Sequence, residues 1–102
     1  MPDQRHEELR RKLNLETAKL PWGELQRHFA RGVMVVVSPE LDLVEVATAT
    51  AVNDSASVRN WGEQGLVARA SDDDARRWQE NDPAFWAVVV APWVLVQEVR
   101  TP

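Results

Sequence analysis

Cysteine and tyrosine are both absent from the 102 residues, and histidine occurs only at His6 and His28. Without cysteine, disulfides and thiolate metal sites are excluded, and nothing fixes the redox compartment. The four glycines, at 23, 32, 62 and 65, form no phosphate-cradling glycine loop. The opening Met1–Glu8 has no apolar stretch of the signal-peptide kind, so a cytoplasmic protein is expected. Long apolar runs are scarce as well. The only one, Phe85–Val96, has twelve residues, too few for a membrane helix of about 20. Basic charge is sparse: residues 1–31 carry a net +2 and residues 32–102 a net −6. No stripe of Arg or Lys interleaved with aromatics appears, so neither nucleic acid nor a membrane is an expected partner.

What is present reads as one domain over residues 1–102, with residues 1–6 a frayed N-terminus. Leu9 and Leu13, spaced i,i+4, predict a short helix over 7–14. Pro21 suits a first helical turn, Trp22, Leu25 and Phe29 share one face, and Gly32 stands where the helix should end. Val33–Val37 is a strand on β-branched content, and residues 38–42 turn the chain. Residues 43–52 admit two periods. With period 3.6, Asp42 caps a helix and Glu45 completes a capping box. With period two, Val44, Val46, Thr48, Thr50 and Val52 share a face, and this alternation favours a strand. A further helix is expected around Val58 and Trp61, ending near Gly65, followed by a short strand or connector over 66–70. Ser71 with Asp74 resembles a capping box at the start of a helix that stops near Pro83.

The apolar run decides the assembly. Its valines favour strands, and Pro92 would disrupt a helix at about 3 kcal/mol, so two strands with a joint at Ala91-Pro92 are expected. Both faces of these strands are apolar, which demands cover on two sides. The elements together predict an α+β fold, a small mainly antiparallel sheet of about four strands packed with three to four helices. So few helices give limited cover. Leaving four Val or Leu side chains exposed would forfeit about 6–12 kcal/mol, comparable to the stability of a domain. A homodimer is therefore expected, with Trp22, Trp93, Val94 and Val96 as candidate interface residues, the two tryptophans because each follows a proline.

Catalytic material is thin. A Ser38, His28, Asp42 set exists on paper, but no Gly-x-Ser-x-Gly elbow supports it. Asp72-Asp73-Asp74 point in different directions on a helix and match no calcium loop, so capping explains them better than a metal. No catalytic residue, metal or cofactor is expected. Five tryptophans, at 22, 61, 78, 86 and 93, mark nearly every element. Core packing is their simplest role, interface anchoring the second, and an aromatic small-molecule pocket the third.

The segments LRRKLNLETAKLPWGELQRHFARG, VVVSPELDLVEVA and FWAVVVAPWVLVQE, with a Trp-centred helix ending in GLV, together resemble a bacterial family, the domain of unknown function numbered 2288, over residues 9–99. The resemblance implies a compact bacterial domain and brings no activity. Within its stretches at 13–22 and 39–45 lie Glu16, Thr17, Lys19, Asp42 and Glu45. Two functions are expected from these observations: a self-associating interaction or structural protein, or a small enzyme or ligand-binding protein with a polar site of Glu16, Lys19, Asp42 and Glu45.

Overall fold

Residues 4–99 are described in the computed structural model of the chain, with side chains from 6 onward. In chain order they form α1 (Gln4–Glu16), β1 (Ala18–Pro21), α2 (Trp22–Ala30), β2 (Met34–Val37), α3 (Leu43–Ala51), α4 (Ser55–Glu63), β3 (Val67–Arg69), α5 (Asp72–Asn81), β4 (Ala84–Val90) and β5 (Trp93–Glu98). The class is α+β, as expected. The counts differ: five helices and a five-stranded mixed sheet replace the expected three to four helices and mainly antiparallel sheet of about four strands. Residues 4–6 are helical rather than frayed; the same expectation for residues 1–3 lies outside the described residues. No described helix is long and apolar enough to cross a membrane.

The apolar run forms the expected pair of strands, β4 and β5, joined by a turn at Ala91-Pro92. The sheet order is β1-β4-β5-β2-β3, so this hairpin occupies central positions. β2 runs parallel to β5, with Val35 opposite Leu95, and the other pairings are antiparallel. No tight turn joins β2 to β5, so hairpin geometry does not dictate their relative direction. β1 is a strand that β-propensity gave no reason to expect. Ala18-Lys19-Leu20-Pro21 has no β-branched residue and owes its extension to pairing with Ala84–Ala87 of β4.

Alternation along β4 and β5 sends side chains to two cores. Val88 and Leu95 join Val37 and Val67 on one face, where Leu13 of α1 and Leu43, Val46 and Ala47 of α3 cover them. Phe85, Ala87, Val94 and Val96 join Met34 on the other, under Trp22 and Leu25 of α2 and Trp78 of α5. Both apolar faces are thus covered by helices of the same chain. The second core is aromatic: the Trp78 ring lies 5.1 Å from both Trp22 and Phe85. Trp22 Nε1 donates to Gln79 Oε1 at 3.0 Å, whereas the buried Trp78 Nε1 has no partner among the described residues.

Residues 43–51 are helical, overturning the strand expectation. Asp42 Oδ1 accepts from Val44 N at 2.9 Å, so the cap is real, and Glu45 stays exposed in the first turn, where negative charge suits the dipole. The helix wins because Leu43, Val46 and Ala47 at i, i+3 and i+4 all reach the core. The threonines that suggested a strand are accommodated by bonding back: Thr48 and Thr50 hydroxyls donate to Val44 O and Val46 O at 2.7 and 2.8 Å.

At α5 the capping box forms as the spacing predicts. Ser71 N donates to Asp74 Oδ2 at 2.9 Å and Asp74 N donates to Ser71 Oγ at 3.1 Å. Arg77 then donates to Asp74 Oδ1 at 2.9 Å, and Asp73 pairs with Arg76 at 3.5 Å. Burial pushes the Asp74 carboxyl up, but the Ser71 amide, the Arg77 guanidinium and the Ser71 hydroxyl outweigh it and hold the group below its ordinary value.

Two outcomes follow from these local geometries. Because Asp74 has a depressed folded pKa, its contribution is fully present above the ordinary carboxyl value of 3.8 and is lost as pH falls through the lower folded value. Urea midpoints between pH 5 and pH 2 should therefore fall less steeply for Asp74→Asn than for the wild type. Gly32 sits at φ +73° after α2, whereas Gly23 lies inside α2, and neither would bring an added Cβ within 4 Å of another atom. Gly32→Ala should thus lower stability by about 1–2 kcal/mol through backbone conformation alone, and Gly23→Ala should raise it by up to about 1 kcal/mol. Equal signs for the two in urea unfolding would contradict this assignment.

Candidate functional site

The four polar residues singled out in sequence do not assemble into a site. Asp42 is the cap of α3 and pairs with Arg10 Nη2 at 2.9 Å, with both side chains about half exposed. Glu16 ends α1, six residues beyond Arg10 or about 9 Å along the helix axis. It borders a shallow depression with Glu8, Arg11 and Lys12, while Asp42 borders a different one with Glu7, Arg10 and Asn14. Lys19 is on the edge strand β1, its Nζ 5.9 Å from the Trp86 ring, and Glu45 is exposed. The paper triad is separated as well. His28 is on α2 and Asp42 caps α3, and these helices cover opposite faces of the sheet. Ser38 Oγ accepts from Glu40 N at 3.2 Å. Burial first, then the charges of Arg27 and Arg31, lower the His28 pKa.

Of the candidate interface residues, Trp22, Val94 and Val96 are buried within the chain, where they belong to the second core. Their removal from the surface follows from α2 and α5 lying over that face. Trp93 alone among them is half-exposed. It borders a concavity of about 310 Å³ on the face covered by α1, α3 and α4. Strand register builds its floor. Val35 stands opposite both Leu95 on β5 and Arg69 on β3, and Val67 lies two residues before Arg69, so all four side chains project to the same face. Thr50 near the end of α3 and Val58 on α4 form the wall.

Arg69 is the polar feature of this pocket. From the edge strand β3 its side chain reaches across β2, bringing its guanidinium carbon 4.8 Å from the centre of the Trp93 ring. Stacking over an indole stabilises such a cation by about 0.5–1 kcal/mol at an exposed site. It also holds the guanidinium at the mouth of the pocket, and no side-chain hydrogen bond within the described residues uses its N–H groups. Among the described residues no carboxylate lies within ion-pair distance of Arg69. The arrangement is an apolar chamber with one oriented cation at its rim. It can hold a compact apolar body and offer donors to a polar end; its one hydroxyl, that of Thr50, donates to Val46 O at 2.8 Å. Sequence analysis singled out Trp93 but not Arg69, because 66–70 had been given no face. The signal was there in parity, since Val67 and Arg69 are two apart and share the apolar side.

The chain was compared with known families, curated proteins and solved structures. No match was found among curated proteins. The chain is similar to a Pseudomonas aeruginosa protein, PA1075, known from its NMR solution structure. The two are 47% identical with a TM-score of 0.81, over 91% of this chain and 86% of that one. The family model described as a protein of unknown function, DUF2288, matches residues 8–98, in agreement with the resemblance carried by the sequence segments. The chain belongs to the DUF2288 family.

Proposed function

We propose that this protein is a small-molecule-binding module of the bacterial cytoplasm, acting without catalysis, and that its site is the chamber between α3, α4 and the sheet. The observation that carries this reading is the pocket itself: about 310 Å³, walled by Val35, Val58, Val67, Leu95 and Trp93, with a single oriented cation at the rim. Its size lies at the low end for ligand sites, and predominantly apolar walls with few polar groups are their usual composition.

Self-association, the other expectation, is supported by a different observation. Trp86 is 41% exposed on β4 beside the edge strand β1, with Lys19 next to it, an apolar surface that a second copy could cover. The same strand exposes 60% of Val89, but three residues separate it from Trp86, so the two face opposite sides of the sheet and cannot join one flat interface. The ligand reading is therefore preferred. Sedimentation at micromolar concentration showing only an 11.6 kDa species would dispose of the homodimer.

Titration with cyclohexanecarboxamide, a neutral compact probe, tests the pocket. Nine non-hydrogen atoms at about 0.5 kcal/mol each give a dissociation constant on the order of 1 mM. Amide and methyl NMR shifts should concentrate at Val35, Val58, Val67 and Leu95. Val58→Phe, which places a larger side chain in the chamber, should weaken binding. Absence of shifts at these residues at 10-fold higher probe concentration would refute the site.

A further inference from the structure

We infer that the pocket selects a small monocarboxylic acid with a compact branched or cyclic apolar body, and that Arg69, held by Trp93, receives its carboxylate. This rests on the ligand-binding reading above and adds the chemical class of the ligand.

Donor accounting comes first. Three residues bordering the chamber have polar side-chain atoms: Thr50, Arg69 and, through its indole N–H, Trp93. The Thr50 hydroxyl donates its proton to Val46 O at 2.8 Å, leaving only acceptor capacity towards the chamber. The side-chain donors available to a ligand thus belong to Arg69 and the Trp93 indole, and only Arg69 carries a charge. A ligand with a donor as its polar end would meet no complementary charge there, and an uncharged acceptor would use the guanidinium poorly.

Geometry narrows the anion. The guanidinium carbon lies over the Trp93 ring at 4.8 Å, and the N–H groups turned away from the indole are the binding element. Two parallel N–H groups of a guanidinium match the two oxygens of a carboxylate, the bidentate fork that a lysine cannot reproduce. Charge narrows it further. One cation stands at the rim, in a chain of formal net charge −4 whose residues 32–102 carry −6. A dianion such as a phosphate monoester would be half neutralised by Arg69 and repelled by the surrounding field, whereas a monoanion is matched one to one. Volume sets the body. The chamber equals about ten water molecules at ~30 Å³ each, which suits a ring or branched chain, whereas most of a long acyl tail would lie outside it.

The test compares cyclohexanecarboxylate with cyclohexanecarboxamide, two probes of the same shape, by NMR titration of the full chain at neutral pH. The acid should bind about tenfold more tightly than the amide in the wild type, the ratio that one partly exposed charge-assisted pair supplies. Arg69→Gln should reduce that ratio to about one, and Arg69→Lys should restore part of it. Arg59→Gln, which removes an exposed cation of α4 next to Val58, should keep the full ratio. Equal binding of acid and amide by the wild type, with shifts still centred on Val58 and Leu95, would overturn the carboxylate assignment and leave the pocket standing. Loss of the ratio in Arg59→Gln as much as in Arg69→Gln would overturn the role of Arg69. Failure of both probes to bind would remove the pocket reading itself.

Discussion

The whole structure depends on covering both faces of the β4–β5 hairpin. Buried Phe85, Ala87, Val94 and Val96 on one side and Val88 and Leu95 on the other leave no polar face to give to water. Each face therefore recruits its own helices, and the two cores meet only through the sheet. Most of the chain can be understood as cover. α1 and α3 close one side and α2 and α5 the other. The aromatic layer of Trp22, Trp78 and Phe85 gains enough from burial and ring contacts to offset an indole N–H with no partner among the described residues, a cost of about 1–3 kcal/mol. α4 covers its region less completely than α3 covers the centre, and the candidate ligand chamber is the space beneath that incomplete roof.

Much of this was legible in the residues. The apolar run became the central hairpin with its joint at Ala91-Pro92, the α5 capping box formed at Ser71 and Asp74, and Val33–Val37 supplied a strand as composition suggested. Local chemistry sets these features, so local inspection finds them. Residues 43–51 misled because valine and threonine at alternate positions satisfy a strand pattern and a helix face at once, and tertiary cover decided between them. β1 was invisible because its extension comes from a partner strand sixty-odd residues away rather than from its own side chains. The polar site built from Glu16, Lys19, Asp42 and Glu45 shared sequence neighbourhoods but not a cavity. Arg69 and Trp93 show the reverse, being far apart in sequence and brought together by strand order.

Cover within the chain also changes what the tryptophans mean. Trp22 and Trp78 are structural, held in the aromatic core, while Trp93 and Trp86 retain exposed area and each lies under a cation, Arg69 and Lys19 respectively. The division follows the sheet rather than the chain, since Trp86 and Trp93 belong to the hairpin that contributes most to both cores. Surface aromatics on rigid central strands are well placed for recognition, because the scaffold holds them without further ordering on binding.

The strand order has a bearing on how the molecule is made. β1 pairs with β4, and β2 meets β5 on one side and the short β3 on the other, so the centre of the sheet leaves a ribosome after every other described element. Until Glu98 is available, the first three strands have only the three-residue pairing of β2 with β3 between them. The N-terminal two-thirds must wait as helices and unpaired strand segments, and folding begins in earnest when the hairpin arrives. Pairings of such long sequence separation slow folding, because chain entropy is lost before the contacts form. A nascent chain of this protein is consequently most in need of protection just before β4 and β5 emerge.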